Sequence, residues 1–238
     1  ALFGFKSGES LQSHARYCAA SLRPARNFRE SAGVYTLALR LFMFTLFFIP
    51  VYGFEPQTNT ELANEVQDFL DAGDDYNGDS IEEWDTQHIT SMEGLFQDAV
   101  DFNEDISGWN TANVDSFKNM FSGAEVFNQD IGGWDTGKAT TFESMFKNAK
   151  AFSQDISGWD VSRVVTRPYI FNQCAEFNSD IGGWDMSRVT TINHMFQLTD
   201  SFNQDLSAWD TSQVTSIAEM FRSSLVFNGD ISGWDTSQ

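Results

Sequence analysis

Aspartates that recur at a fixed interval are the residues of this chain most evidently suited to chemistry. One row of them has a spacing of 25 residues and consists of Asp105, Asp130, Asp155, Asp180, Asp205 and Asp230. Carboxylates stacked in this way could bridge Ca²⁺, which prefers oxygen ligands. They could instead accept backbone N–H groups and fix turns, as Asp commonly does. Both interpretations of this first aspartate row, a turn role and a calcium ladder, are open.

A second aspartate row favours the turn role. Its members are Asp85, Asn110, Asp135, Asp160, Asp185, Asp210 and Asp235. Asn110 can fix a turn as well as Asp does but has no charge to offer a cation. An amide row with the same period is Asn103, Asn128, Ser153, Asn178, Asn203 and Asn228. We expect this row to form hydrogen bonds between neighbouring repeats and to be structural.

Other chemistry is sparse, and we predict that the protein is not an enzyme. The three histidines, His14, His88 and His194, have no metal-ligand spacing, and the two cysteines, Cys18 and Cys174, form no CxxC motif. The sequence contains no G-x-S-x-G, no H-E-x-x-H and no phosphate-binding glycine loop. Regular rows of carboxylates also lack the contrast in environment that acid–base catalysis requires. We predict no cofactor, with calcium as the only candidate.

Aromatic residues show the repeat that positions these rows. Every tryptophan belongs to one 25-residue series: Trp84, Trp109, Trp134, Trp159, Trp184, Trp209 and Trp234. A phenylalanine series has the same period: Phe102, Phe127, Phe152, Phe177, Phe202 and Phe227. A fixed period of 20–50 residues is typical of solenoids, whose repeats stack to bury a continuous core. Both series are therefore predicted to be structural core.

Each repeat has a pattern for one helix and one strand. Val214, Ile217 and Phe221 have the spacing of one face of a short helix. The F-N-x-D-I-x-G-W-D segment, with aromatic and β-branched residues before glycine, indicates a short strand and a turn. The predicted fold is an α/β repeat solenoid of the leucine-rich-repeat type, with 25-residue units of one short parallel strand plus one short helix.

The repeat phrase resembles that of a known family. The pattern V-T-x-M-x-x-M-F-x-x-A-x-x-F-N-x-D-I-S-x-W-D-T-S, best seen in "DTSQVTSIAEMF" and "FNGDISGWDTS", resembles the BspA-like leucine-rich-repeat surface proteins, in the branch with the W-D-T-S phrase. The resemblance covers residues 78–238. It implies a cell-surface or secreted protein for attachment or recognition, and it implies no catalytic residues.

The predicted organisation has three parts: a leader at residues 1–53, a capping helix and linker at 54–77, and a solenoid at 78–238 with six full repeats and a partial seventh. The apolar run LFMFTLFFI at residues 41–49 follows Arg40, as in a signal peptide, and Val51 and Gly53 suit its cleavage site. A retained signal anchor and a buried helix are the alternatives. Thr58 and Glu61 have the spacing of a helix capping box.

Charge limits the partners. Residues 1–53 hold six basic and two acidic residues, a net charge of +4, and since the whole chain is −20 the remainder is −24. So acidic a region repels nucleic acid and anionic lipid, which leaves the N-terminal apolar segment as the only predicted membrane contact. We expect a protein or glycan partner for a secreted or cell-surface protein, with possible membrane anchoring. We also expect further repeats or a partner to cover the apolar end at residue 238.

Two alternatives to recognition remain. One is a structural extracellular solenoid with calcium-bridged aspartate rows. The other is ice binding by a threonine row, Thr86, Thr111, Thr136, Thr211 and Thr236, which Val161 and Met186 interrupt.

Positions that vary between repeats are where specificity is expected. They precede the phenylalanine row or lie on the helix exteriors: Asp101, Val126, Ala151, Glu176, Ser201, Val226, Lys118, Glu143, His194 and Glu219. One repeat departs from the core pattern, because Arg167 replaces an apolar residue and Pro168 follows it. A locally distorted helix is expected there, either as a tolerated defect or as a selected surface feature.

Overall fold

The computed structural model describes residues 53–235. The predicted leader lies almost wholly outside these residues, as does Thr236. Within the described part of the chain, no helix is both long and apolar enough to cross a membrane.

Helix α1, Asn59–Ala72, precedes the repeats. Thr58 is its N-cap, since the threonine side chain accepts a hydrogen bond from the backbone N–H of Glu61. The Glu61 carboxylate accepts from the N–H of Gln57, one residue before the cap. The helix ends at Gly73, whose positive φ of 51° lies in the region that glycine adopts without a steric penalty. Two 3₁₀ turns, Gly73–Asp75 and Ile81–Glu83, then lead into the array.

Helix α1 contacts the first repeat in the way a neighbouring repeat would. The Asn59 side-chain oxygen accepts hydrogen bonds from the N–H groups of Thr90 and Ser91, at 3.0 and 3.3 Å. The Phe69 ring lies edge-on to Trp84, with 6.2 Å between ring centroids. The helix therefore covers both the backbone and the aromatic end of the first repeat.

Phenylalanine rings form two parallel columns at the centre of the array. Rings separated by 25 residues stack at 5.6–6.2 Å within each column. The two columns touch within every repeat, as in the 3.9 Å stack of Phe121 on Phe127. Such offset stacks combine large apolar burial with the geometry that aromatic pairs prefer.

The segments predicted as helices form consecutive turns instead. In the repeat that includes Phe121, the N–H groups of Asn119, Phe121 and Gly123 donate to carbonyls of the next repeat at 2.8–2.9 Å. Asn119 and Gly123 have positive φ, 55° and 82°. A left-handed residue every fourth position prevents an α-helix, and the inter-repeat bonds use the N–H groups that a helix would need.

Parallel pairing also occurs at a different place from the predicted strand. Isolated parallel bridges join Ser91 to Ser116, Ser116 to Thr141, Thr166 to Thr191 and Thr191 to Ser216. The F-N-x-D segment has no bridge in the described residues, because side chains accept its backbone donors. For example, the N–H of Asn128 donates to the side-chain oxygen of Asn103 at 2.8 Å. The helical and strand periods of the sequence thus predict which residues are buried, but they do not predict the secondary structure of the repeats.

Candidate interaction surface

The first aspartate row forms a series of turns. Each carboxylate accepts the backbone N–H two residues later at 2.8–3.1 Å, as between Asp105 and Ser107 or Asp130 and Gly132. The Ser107 hydroxyl and, after it, its N–H hold the pKa of Asp105 below its ordinary value. The same short-range bonding fixes the chain after each phenylalanine.

The second aspartate row makes the same turn. Asn110 accepts from Ala112 at 3.1 Å just as Asp160 accepts from Ser162 at 2.9 Å. The pKa of Asp160 lies below its ordinary value, first because of the Ser162 hydroxyl and then because of its N–H. Among residues 53–235, no group of three or more His, Cys, Asp or Glu side chains could hold a metal ion. A calcium-bridged ladder stays a prediction.

The tryptophan row lies in the core and joins repeats. Trp84 to Trp209 are at most 4 % exposed, while Trp234 is half-buried at the last described repeat. Each indole N–H from Trp109 onward donates to the carbonyl of the Ile or Leu residue 28 positions earlier, at 2.9–3.3 Å. The phenylalanine row is likewise buried up to Phe202. Burial leaves the tryptophans up to Trp209 and the phenylalanines up to Phe202 inaccessible to a ligand.

The threonine row is buried rather than exposed. Thr86, Thr111, Thr136 and Thr211 are at most 4 % exposed. Their hydroxyls donate to main-chain carbonyls of the next repeat at 3.0–3.4 Å. A buried row cannot contact ice, so these residues support no ice-binding surface.

Varied side chains contact one another across successive repeats on the surface. We call this set the variable face: Lys118, Glu143, Lys147, Tyr169, His194, Glu219 and Arg222. An ion pair of 3.2 Å joins Lys118 to Glu143. Further along, the Lys147 ammonium lies 5.6 Å from the centroid of the Tyr169 ring, within the range of a cation–π contact.

The centre of the variable face is an aromatic stack. The Tyr169 ring and the His194 imidazole are 4.6 Å apart and nearly parallel. The His194 Nδ1 atom is 3.0 Å from the Gln197 side-chain oxygen and 3.5 Å from Glu219. A hydrogen bond from Arg222, with a smaller contribution from His194, lowers the pKa of Glu219. The face thus offers half-buried rings beside fixed charges.

The scaffold under this face is uniform. Tyr169, His194 and Glu219 occupy one repeat position and have positive φ of 61°, 56° and 54°. The N–H groups of the first two donate to carbonyls of the next repeat, Tyr169 to Asn193 at 3.1 Å and His194 to Ala218 at 2.9 Å. Since the backbone does not change, side-chain identity can vary freely at this position.

The positions before the phenylalanine row are more exposed and less connected. Val126 and Val226 are among the exposed apolar residues. Beside them, Lys150 and Glu125 form an ion pair of 2.8 Å, and the Lys150 hydrogen bond is the main cause that lowers the pKa of Glu125. These positions border the variable face in sequence, but within residues 53–235 their side chains form no hydrogen bond or ion pair with it.

For Arg167, the structure contradicts one of the two expected alternatives, a selected surface feature. The arginine is fully buried, not on the surface. Its guanidinium lies 5.8 Å from the Trp184 ring, donates to the Val161 carbonyl at 2.7 Å and contacts the Met186 sulfur at 2.6 Å. The Nε–H has no partner in the structure, and burial lowers the pKa of Arg167 to about 10.

A signal for this buried cation was present in the sequence. Val161 and Met186, which interrupt the threonine row, both contact the guanidinium. Arg167, Val161 and Met186 each replace the residue type that is usual at their repeat position. Three such replacements in adjacent repeats indicate one cluster of side chains that changed together.

The remaining reactive groups have structural surroundings. Cys174 is fully buried, its Sγ lies 3.0 Å from the Ala149 carbonyl, and burial raises the pKa of its thiol. His88 is exposed and pairs with Glu55 at 3.1 Å. His14 and Cys18 lie outside the described residues.

Comparison with known proteins places the repeats in a family. A family model described as "Mycoplasma protein of unknown function, DUF285" matches residues 64–181 and, in a second match, residues 167–238. Together the two matches cover well over half of the chain. Neither the curated proteins nor the solved structures gave a significant match.

Proposed function

Because the chain belongs to the DUF285 family, a surface-repeat family related to the BspA-like proteins, we propose that it is a non-enzymatic recognition protein. Within that family relationship, we assign it to the branch with the W-D-T-S phrase. Its array is a solenoid of leucine-rich-repeat type, and its ligand is a protein or a glycan on a surface. The protein acts outside the cell, either secreted or anchored by the apolar segment at residues 41–49.

The variable face is the observation that supports recognition best. Core positions keep their residue type in nearly every repeat, whereas the position of Tyr169, His194 and Glu219 has a different side chain in each. Binding through such a face needs few new backbone interactions, since each side chain projects from the same left-handed turn. Aromatic rings next to charged groups are typical of contact surfaces, where Tyr and Arg are enriched.

The charge of the face favours a polar ligand. Lys147, Arg222 and Lys118 supply cations in a region whose net charge is −24, while Glu143 and Glu219 pair with them. A ligand that stacks on the Tyr169 ring and hydrogen-bonds to neighbouring charged groups fits this pattern. Both a glycan and a polar protein loop have that chemistry.

Binding of the full chain to a glycan array and to immobilised extracellular-matrix proteins tests the proposal. We expect at least one ligand whose affinity falls about tenfold or more in the Tyr169→Ala/His194→Ala variant, the size of loss expected at an interface hot spot. The matched control is Glu104→Ala/Gln213→Ala, two exposed side chains outside the variable face, which should bind as the parent does.

Equal loss in both variants would contradict a role for the variable face. A variant with all seven residues of the face replaced provides a second test. If the parent binds no ligand better than this variant does, recognition itself is overturned.

A further inference from the structure

Repeats are joined by the same four hydrogen bonds at most junctions. Between residues 115–129 and 140–154, the Thr140 N–H donates to Asp115 at 2.8 Å and the Phe117 N–H donates to Thr141 at 3.2 Å. On another side of the repeat, Ser153 and Gln154 donate to Asn128 at 3.0 and 2.8 Å. The first two bonds join the repeats next to the parallel bridges, and the last two join them along the amide row.

The junction two repeats further on has the same four bonds. The Thr190 N–H donates to Val165 at 2.8 Å, and the Arg167 N–H donates to Thr191 at 2.9 Å. Asn203 and Gln204 both donate to Asn178 at 2.9 Å.

The junction between these two lacks all four. We call it the sparse junction: residues 140–156 against residues 165–181. Within residues 53–235, no backbone bond joins Val165 to Thr140 or Phe142 to Thr166, and no parallel bridge joins Thr141 to Thr166. The bonds expected from Asn178 and from residue 179 to Ser153 are missing too.

Three substitutions account for the side-chain losses. Val165 replaces a threonine whose hydroxyl bonds the previous repeat elsewhere, as Thr140 does at 3.0 Å. Ser153 replaces the asparagine acceptor, and Ser179 replaces the glutamine donor. The shorter side chains open a groove of about 380 Å³ lined by Ser153, Asp155, Ser157, Ser179 and Asp180. One bond partly compensates, since the Ile156 N–H donates to the Ser179 hydroxyl at 3.2 Å.

Adjacent to this junction, the Arg167–Pro168 pair constrains the backbone. A residue before proline is restricted to extended conformations, and here that residue is Arg167. It follows Thr166, whose carbonyl accepts no hydrogen bond from Phe142. Phe142 stacks on its equivalent Phe117 at 5.5 Å, whereas its equivalent in the next repeat is Arg167, which has no ring to continue this series.

From these observations we propose that the sparse junction is a built-in opening plane. The array divides there into two cooperative blocks, residues 53–164 and residues 165–235, which separate before either block unfolds. Repeat arrays are stabilised by the sum of their nearest-neighbour interfaces, so a single weak interface sets where they part. The bonds that remain, such as the Phe146 N–H to Ile170 at 3.0 Å, hold the plane closed in the native state.

Native-state hydrogen exchange of the full chain, followed by mass spectrometry at sub-denaturing urea, tests the proposal. One net hydrogen bond changes an opening equilibrium by about fivefold, so two or more missing bonds predict at least about 25-fold faster exchange. The comparison is between the amides of Ser144, Phe146 and Asn148, which face the sparse junction, and their equivalents Asn119, Phe121 and Gly123.

A repair variant and a transfer variant make the test specific. Val165→Thr/Ser153→Asn/Ser179→Gln restores the side-chain partners, and we expect it to slow exchange at the three amides that face the sparse junction by at least about fivefold. The two missing backbone bonds should keep the rest of the difference. Thr190→Val/Asn178→Ser/Gln204→Ser makes the same three changes one repeat later. It should add fast exchange at the amides of residues 169, 171 and 173 to that at the sparse junction.

Equal exchange at the sparse and preceding junctions in the parent would overturn the proposal. So would a repair variant that folds but leaves the difference unchanged. If the transfer variant does not fold, the parent and the repair variant still decide the question.

Discussion

The repeats that contain Phe142 and Arg167 differ most in chemistry at the core position of these two residues, which shows how far the array tolerates a change. Phe142 stacks on Trp159 at 5.4 Å, and Arg167 places its guanidinium 5.8 Å from Trp184. The cation therefore occupies the site of a ring and keeps the contact with the indole. A core position is thus defined by the space it fills and by the face it covers, and not by apolar character alone.

Their neighbours in the threonine row differ correspondingly. Thr136 donates its hydroxyl to the Asp160 carbonyl at 3.0 Å. Val161 has no hydroxyl, and an Arg167 nitrogen approaches the equivalent carbonyl of Asp185 at 3.4 Å. The arginine partly replaces a bond that its own repeat has lost, which explains why a buried charge persists here.

Phe142→Ala should have the largest effect on this comparison. It removes a fully buried ring with aromatic neighbours on both sides, so the free energy of unfolding should fall by about 3–5 kcal/mol. Urea unfolding at pH 7 measures the change. Val100→Ala, at a position 48 % exposed, is the control and should stay within about 0.5 kcal/mol of the parent. A loss of less than about 1 kcal/mol in Phe142→Ala would contradict a continuous stacked core.

Arg167→Met should have a smaller effect of opposite sign. Methionine stands at the equivalent position in the first repeat, as Met92, where it is fully buried. The change removes a buried charge with one unpartnered N–H, so the free energy of unfolding should rise by about 1–4 kcal/mol. Urea unfolding measures the rise, with Arg163→Met on the exposed surface as the control. Destabilisation by Arg167→Met would show that the guanidinium contacts outweigh the cost of burial.

Calcium should have the smallest effect, because the carboxylates of both repeats already bond to backbone N–H groups. A calcium site with a Kd of about 0.1 mM would add about 2.7 kcal/mol to stability at a hundredfold excess of ion. We expect a shift in melting temperature below about 1 °C instead, measured by calorimetry with calcium or with chelator. Magnesium at equal ionic strength is the control. A calcium-specific rise that Asp130→Asn/Asp155→Asn abolishes would favour the calcium-bridged alternative.

Sequence reasoning located the stacked positions well and their local structure poorly. The spacing of Phe121 and Phe146 identified residues that stack at 5.7 Å. The spacing of apolar residues within each repeat, at i, i+3 and i+7, predicted a helix. That spacing suits one face of a helix as well as a series of turns. The left-handed backbone of Asn119 could not be predicted from its own repeat. Its N–H donates to the Glu143 carbonyl of the next repeat, so the conformation depends on a contact between repeats.

The candidate surface was found in part. His194 and Glu219 were expected at variable positions, and they are in contact. Tyr169 is not among the variable positions expected from the sequence, because Arg167 and Pro168 directly before it interrupt the regular pattern of its repeat. Its stacking on His194 depends on the distance between repeats, which no single repeat specifies.

By itself, the sequence determined that the chain is an array, which residues recur in it and which repeat departs from the rest, because a strict period makes every position comparable with its equivalents. The tertiary structure decided what the recurring residues do. A backbone N–H group in a stack of short turns can donate to a carbonyl of the next repeat or to a side chain. Only the contact between repeats decides which of these two acceptors it uses. That contact also made Arg167 a core residue and left the sparse junction without its bonds.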